Sequence, residues 1–299
     1  MKKITITLVT LFAAMSMQLS AQATHEFSAH VGGGLSTLSY LLSPGNRSGG
    51  FGGDFGFGYT YLINKEQVVE TGTASNMIWG IHTGIGIGLY NSKAKFDNVK
   101  TITKGLNDGD ATFGKFDLHT TLSNYNEIQN TMFLNIPVMA MYQMEQFYIM
   151  GGFKVGIPLS GKYKSKDPTL KNSAYYPDLD NWIDGTDAPK FMGLGTFSNK
   201  NYNGKLDLGV AVMLALEAGM KWNIADNLSL YTGAFFDYGL NNVVKGGKQA
   251  FINYTAKDAE NFTTNSVLSS YTDNSKSSTF TNKANMMAVG IKVRLALVR

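Results

Sequence analysis

Trp79-Gly80-Ile81-His82-Thr83-Gly84-Ile85-Gly86-Ile87-Gly88-Leu89 decides how the rest of the chain is read. In an extended chain, Trp79, Ile81, Thr83, Ile85, Ile87 and Leu89 share one face, while Gly80, His82, Gly84, Gly86 and Gly88 share the other. Large apolar groups at a period of two make a β-strand with one greasy side. The glycine side reads as the inward face of a narrow barrel, where small residues leave room for bulkier neighbours. The same alternation recurs. Phe51, Phe55, Phe57, Tyr59 and Tyr61 form one face; Met132, Leu134, Ile136, Val138, Ala140 and Tyr142 another; Phe147, Ile149, Phe153, Val155, Ile157 and Leu159 a third. Leu206 to Trp222 at even positions, Leu228 to Leu240, and Met287 to Leu297 follow, and Phe27, Ala29, Val31 and Leu35 make a weaker opening strand. About eight strands result, several of the ten-residue length that a tilted membrane strand needs. After residue 23 no apolar run reaches the length of a helical span. The mean hydropathy of −0.10 is what alternation of apolar and polar residues produces.

The connections carry the second signal. Gln143 to Gln146 and Asn223 to Asn227 are tight turns, whereas roughly 92–130, 164–203 and 245–284 are long and polar. Long outer loops alternating with short periplasmic turns mark a transmembrane, antiparallel, up-and-down β-barrel. The 63–76 connection is too long for its place, so part of it is expected to extend two strands. Outward aromatics at the short-turn end, Phe27, Tyr61, Trp79, Tyr142, Phe147 and Trp222, form the expected girdle at the membrane interface.

Phe133-Leu134-Asn135-Ile136-Pro137-Val138 resembles the "L-x-I-P" strand of the outer-membrane β-barrel domain family common in Bacteroidetes-type bacteria, small barrels of PorT-like or OmpA/OmpX-like kind. Gly151-Gly152-Phe153 with Ile157-Pro158-Leu159-Ser160-Gly161-Lys162 is similar to its glycine-led strand. Asp207-Leu208-Gly209, Tyr238-Gly239-Leu240-Asn241-Asn242-Val243 and Val289-Gly290-Ile291-Lys292-Val293 resemble the strands that follow. The likeness spreads over residues 130–299 and departs from the family in its Arg299 terminus. It implies fold and location, with no shared enzymatic activity and no peptidoglycan-binding domain.

Met1-Lys2-Lys3, the mostly apolar Ile4–Met17 and Ala21-Gln22-Ala23 read as a secretory signal peptide cut after Ala23. Residues 24–299 then form a single barrel domain in a bacterial outer membrane. The chain of 299 residues has 26 basic and 22 acidic residues, too small and dispersed an excess for nucleic acid. With no cysteine, disulfides, zinc-thiolate centres and thiol nucleophiles are excluded.

No catalytic, cofactor or metal motif emerges. His25, His30, His82 and His119 lack metal-ligand spacing, and no H-E-x-x-H or G-K-[ST] occurs. Asp178, Asp180, Asp184 and Asp187 miss the spacing of a calcium loop. Strand parity instead turns Asp54, Asp207, Glu217 and Asp237 inward together with Lys154, Lys221, Lys292 and Arg294, a neutral set that would pair into an ion network plugging the lumen. Tyr175, Tyr176 and Trp182 form the expected contact patch in a loop. The reading is a non-enzymatic barrel that displays large loops in a structural, adhesion or surface-recognition role. It contacts outer-membrane lipid and, through its loops, an extracellular ligand or envelope protein; no oligomeric state follows. A porin-like small-solute channel, an accessory barrel of a secretion or uptake complex, and a lipid-active enzyme with its catalytic set at the lip are the alternatives.

Overall fold

The computed structural model describes residues 23–67, 75–107, 114–184, 188–198, 200–273 and 278–299. Eight strands form the wall: β1 (Ala23–Tyr40), β2 (Phe51–Gln67), β3 (Ser75–Phe96), β4 (Tyr125–Met144), β5 (Phe147–Lys166), β6 (Ala211–Ala225), β7 (Leu228–Gly239) and β8 (Ala284–Val298). Each pairs antiparallel with its neighbour in the chain, and β8 closes on β1 from Glu26–Val298 to Tyr40–Ala284. Closure removes the unpaired edges that an open sheet would leave in hydrocarbon. The expected signal peptide, residues 1–23, lies outside the described residues except for Ala23, which opens β1.

The alternation becomes lipid and lumen. Trp79, Ile81, Ile85 and Leu89 face outward, and His82, Gly86, Gly88 and Tyr90 are buried inside. Ten steps from Trp79 to Leu89, at about 3.3 Å each and a tilt of about 40°, give an apolar band roughly 25 Å tall. Tight turns join β4 to β5 at Glu145-Gln146 and β6 to β7 at Asp226-Asn227. β2 runs to Gln67 and β3 begins at Ser75, so both extend into the 63–76 connection; residues 68–74 lie outside the described ones.

At the opposite rim the wall rises past the membrane. The long connections become 97–124, 167–210 and 240–283: the first shrinks because β3 continues to Phe96 and β4 starts at Tyr125, while the later start of β6 at Ala211 and the earlier end of β7 at Gly239 lengthen the other two. One irregularity shapes this extension. Phe133 pairs with Pro158 but Met132 with Ser160, so Leu159 is the extra residue of a bulge beside a proline that has no N–H to give the ladder. The extra residue inverts the facing of β5, so Tyr163 and Ser165 are buried inside and Lys162, Lys164 and Lys166 point out.

The long connections fold into a cap. Strand Thr169–Tyr176 pairs on one edge with Lys115–Ser123, itself paired with Val99–Asn107, and on the other with Asn181–Ile183 and Gly195–Ser198. Beneath this sheet lies a core of Phe96, Phe116, Leu118, Leu122, Tyr125, Leu170, Phe251, Phe262 and Phe280, drawn from the wall and from all three connections.

Candidate functional site

The lumen is filled in three layers. Nearest the tight turns, Leu62, Met139, Met141, Tyr148, Met150 and Tyr231 pack together. Nearest the cap, Leu38, Tyr90, Phe133, Met213, Phe235 and Met286 do the same. Ions lie between, each carried inward by the parity of its strand.

Glu217 accepts from the Arg294 guanidinium, from Lys292 Nζ at 3.2 Å and from Tyr148 OH at 3.0 Å. Lys292 also stands 3.6 Å from Asp54, which lies 3.4 Å from His30 Nε2. Lys154 Nζ donates to Asp237 at 2.5 Å. Toward the tight turns, Lys221 Nζ and Tyr231 OH donate to Glu26 at 2.8 Å. Arg294 bridges the groups, its guanidinium 5.0 Å from the Tyr231 ring centre and 5.6 Å from that of Tyr148. Buried charges are tolerable only when paired and hydrogen-bonded. Four acids, Glu26, Asp54, Glu217 and Asp237, here meet four bases, Lys154, Lys221, Lys292 and Arg294.

A cavity of about 20 Å³, lined among others by His30, Asp54, His82, Asn135, Lys154 and Glu217, is left inside this layer. That is room for about one water molecule. Asp54 Oδ1 and Asn135 Oδ1, buried without a protein partner, line the same space. His82 is held by Thr60, whose hydroxyl lies 2.8 Å from Nδ1. Below Lys221 the lumen opens into a vestibule of about 550 Å³ bounded by Asn223, Asp226, Ser229 and Val298.

The cap end is closed by a second polar knot. Glu127, on β4, is fully buried and accepts from Ser266 Oγ at 2.5 Å, Val267 N at 3.1 Å, Gln129 Nε2 at 2.8 Å and Tyr125 OH at 3.1 Å. Gln129 Oε1 accepts in turn from Tyr40 OH at 2.8 Å and Ser92 Oγ at 2.6 Å. Tyr163 OH donates to the carbonyl of Thr264 at 2.8 Å. The segment 263–268 is thus pinned across the mouth of the barrel.

Three expectations need correction. Asp207 is not in the lumen: it is exposed and lies before β6, which starts at Ala211. Leu206 and Leu208, expected to face lipid, are buried beside Tyr163 and Leu268, so their alternation records contact with protein. Glu26 supplies the fourth acid, and with His30 follows from the parity of Phe27, Ala29 and Val31. Tyr176 is no contact residue either. Consecutive residues of a strand face opposite ways, so Tyr176 enters the cap core while Tyr175 stays at the surface.

Tyr175 pairs across strands with Trp182, rings 4.9 Å apart, and the His119 ring meets Trp182 at 4.7 Å, tilted by 59°. Trp182 is 51% exposed, and Tyr175 OH donates to Asp180 Oδ1. Asp187 lies outside the described residues, and among those described no group of three His, Asp or Glu side chains could hold a metal ion. Phe27, Trp79, Phe147 and Trp222 are exposed at the tight-turn rim, with Tyr61 and Tyr142 half-buried among them. Trp79 meets Tyr142 at 4.7 Å, and Tyr59, close to Phe27, joins the girdle with its hydroxyl 2.7 Å from His25 Nδ1.

A family model described as an outer membrane protein beta-barrel domain matches residues 18–245. A search of curated proteins gives no match. Among solved structures the chain is similar to Neisserial surface protein A, at 7% identity and a TM-score of 0.26, with 92% of this chain and 95% of that one covered. It is also similar to the translocator domain of the autotransporter NalP from Neisseria meningitidis, at 9% identity and a TM-score of 0.19, with 99% and 94% covered. Since the family model takes in well over half of its length, the chain belongs to the outer membrane protein β-barrel domain family.

Proposed function

We propose that this chain is a non-enzymatic, non-conducting outer-membrane barrel whose work is done by its cap. One observation carries the reading. The long connections share a core of buried rings and are pinned over the mouth by Glu127, instead of splaying as separate loops. A folded cap presents a fixed surface, and fixed surfaces on rigid scaffolds are suited to recognition. The Tyr175, Trp182 and His119 shelf is an aromatic cluster at the cap surface, offering apolar area with polar edges to an extracellular ligand or envelope protein. The ionic layer and the two apolar layers packed across the lumen support a barrel plugged against hydrated solutes. The motif order from Leu134 to Val293 supports a barrel of the Bacteroidetes type, and the Met1–Ala23 pattern supports export by a cleaved leader.

The test is planar-bilayer recording of the refolded chain. Silence is expected from the native chain at moderate voltage. Steady, reproducible unit conductance would overturn the plug and restore the channel. For the cap, display on whole cells and capture of surface ligands should fail on W182A/Y175A while the barrel remains folded.

A further inference from the structure

The outer wall carries a charged surface that neither the lumen nor the cap explains. Lys93 and Lys95 on β3, and Lys162, Lys164 and Lys166 on β5, are all exposed and all face outward. Register aligns them. Lys93, Ile128 and Lys164 form one row across β3, β4 and β5; Lys95, Asn126 and Lys166 form the row above; Asn91, Asn130 and Lys162 the row below. The short strand Asn203–Lys205 adds Lys205 beside Lys162. Two lysine columns therefore flank an uncharged column on β4, about 10 Å apart, with rows about 7 Å apart. Directly beneath come Leu89, Met132 and Leu159, the upper edge of the exposed apolar band.

No acid shares these rows, and among the described residues none of the six lysines is ion-paired. Glu127, on the central strand, is turned inward and bonded inside the barrel, and the nearest exposed carboxylates, Asp97, Asp167 and Asp207, lie past the strand ends. The patch is also denser than the facing wall: at the height where β1 and β8 pair Ser39 with Asn285, the bases among the described residues are Arg47, turned onto Thr37, Leu38 and Tyr40, and Lys283 just before β8. The bulge at Pro158–Ser160 creates half of it. On the facing that β5 keeps below the bulge, Lys162, Lys164 and Lys166 would point into the barrel.

We propose that this wall binds the phosphates of a glycolipid in the outer leaflet. The two lysine columns would take anionic phosphate, the amides of Asn91, Asn126 and Asn130 would meet sugar hydroxyls, and the apolar band below would carry the acyl chains. Charge, height above the band and the asparagines above and below Ile128 between the lysines all match a phosphorylated sugar headgroup with its tails in the membrane. Basic residues at a membrane surface attract anionic headgroups, and the attraction is screened by salt. The inference rests on the cap end facing the exterior, which surface labelling tests separately from lipid binding.

The experiment is native mass spectrometry and equilibrium binding of the full chain in neutral detergent. The probes are purified lipid A, its enzymatically dephosphorylated form, phosphatidylglycerol and inorganic phosphate. Lipid A should be retained and the dephosphorylated form bound at least about tenfold more weakly, with affinity falling as salt rises. K93Q/K95Q/K162Q/K164Q should lose at least about tenfold in affinity for lipid A while keeping the heat-modifiable gel mobility of a folded barrel. K245Q/K283Q should bind as the native chain does. Equal binding of the two lipid A forms, or an unchanged quadruple variant, overturns the site. Equal affinity for phosphatidylglycerol, or displacement by millimolar phosphate, overturns the glycolipid.

Discussion

Removing the Glu217 carboxylate would strand Arg294, which is 2% exposed and, among the described residues, is ion-paired with no other carboxylate; its remaining neighbours include the Met150 sulfur and two tyrosine rings. Breaking one side of a buried ion pair typically costs about 3–5 kcal/mol, so Glu217→Ala should lower the denaturation midpoint sharply. Lys292→Ala relieves part of the same excess charge. The double variant should therefore cost less than the two singles added, and strict additivity in a denaturation cycle would show that the groups do not act together. Lys248 gives a pH signature outside the membrane. Its ammonium donates to the Leu268 carbonyl and to Thr281, and burial without a carboxylate lowers it to about 8. An unfolded chain holds that proton up to the ordinary lysine range, so the unfolded state binds more protons at alkaline pH and stability rises as pH climbs from about 8 to 10. The thermal midpoint of the native chain relative to Lys248→Met should climb over that interval; a constant difference would refute it. Parity made Glu217, Lys292 and Arg294 legible from sequence because a strand offers each side chain only two directions. Asp207 shows where that logic stops: alternation says that a face is covered, not whether lipid or protein covers it.

At the scale of elements, the cap hangs on one side chain. Glu127→Ala would leave Ser266 Oγ and the Val267 N–H buried without acceptors, a loss of about 1–3 kcal/mol per orphaned group. Segment 240–283 should then open locally before the barrel melts. Limited trypsinolysis at Lys257 should accelerate markedly in Glu127→Ala while the midpoint of the wall moves little; unchanged cleavage would mean that the ring core holds the segment by itself. The wall strands were readable from their period and the tight turns between them. The cap was not. Strands Val99–Asn107, Lys115–Ser123 and Thr169–Tyr176 pair across long separations, and Phe251, Phe262 and Phe280 sit singly among polar residues with no period. The β5 bulge was equally hidden, since one extra residue changes facing without changing composition.

For the whole molecule, a closed wall with an outward apolar band should fractionate with outer membranes, resist carbonate extraction and migrate anomalously on gels until boiled. Release by osmotic shock would be incompatible with it. Lys104, Lys171 and Lys257 lie in the cap, so an impermeant biotin reagent should reach them on intact cells; labelling confined to permeabilised cells would invert the barrel. The seam between β8 and β1 has a further consequence, in time. Glu26 meets Val298, so the bond that turns a sheet into a cylinder joins residues at nearly the greatest separation the chain offers. Every other wall pairing can form between consecutive strands, but this one must wait for the final strand to be made and delivered. Until then the nascent chain carries two bare edges, and the ladder groups of β1 can be satisfied only by water, a chaperone or another chain. Assembly should accordingly be governed by arrival of the last strand, and a chain stalled before Ala284 should accumulate as a protease-sensitive, aggregation-prone intermediate rather than as a smaller barrel.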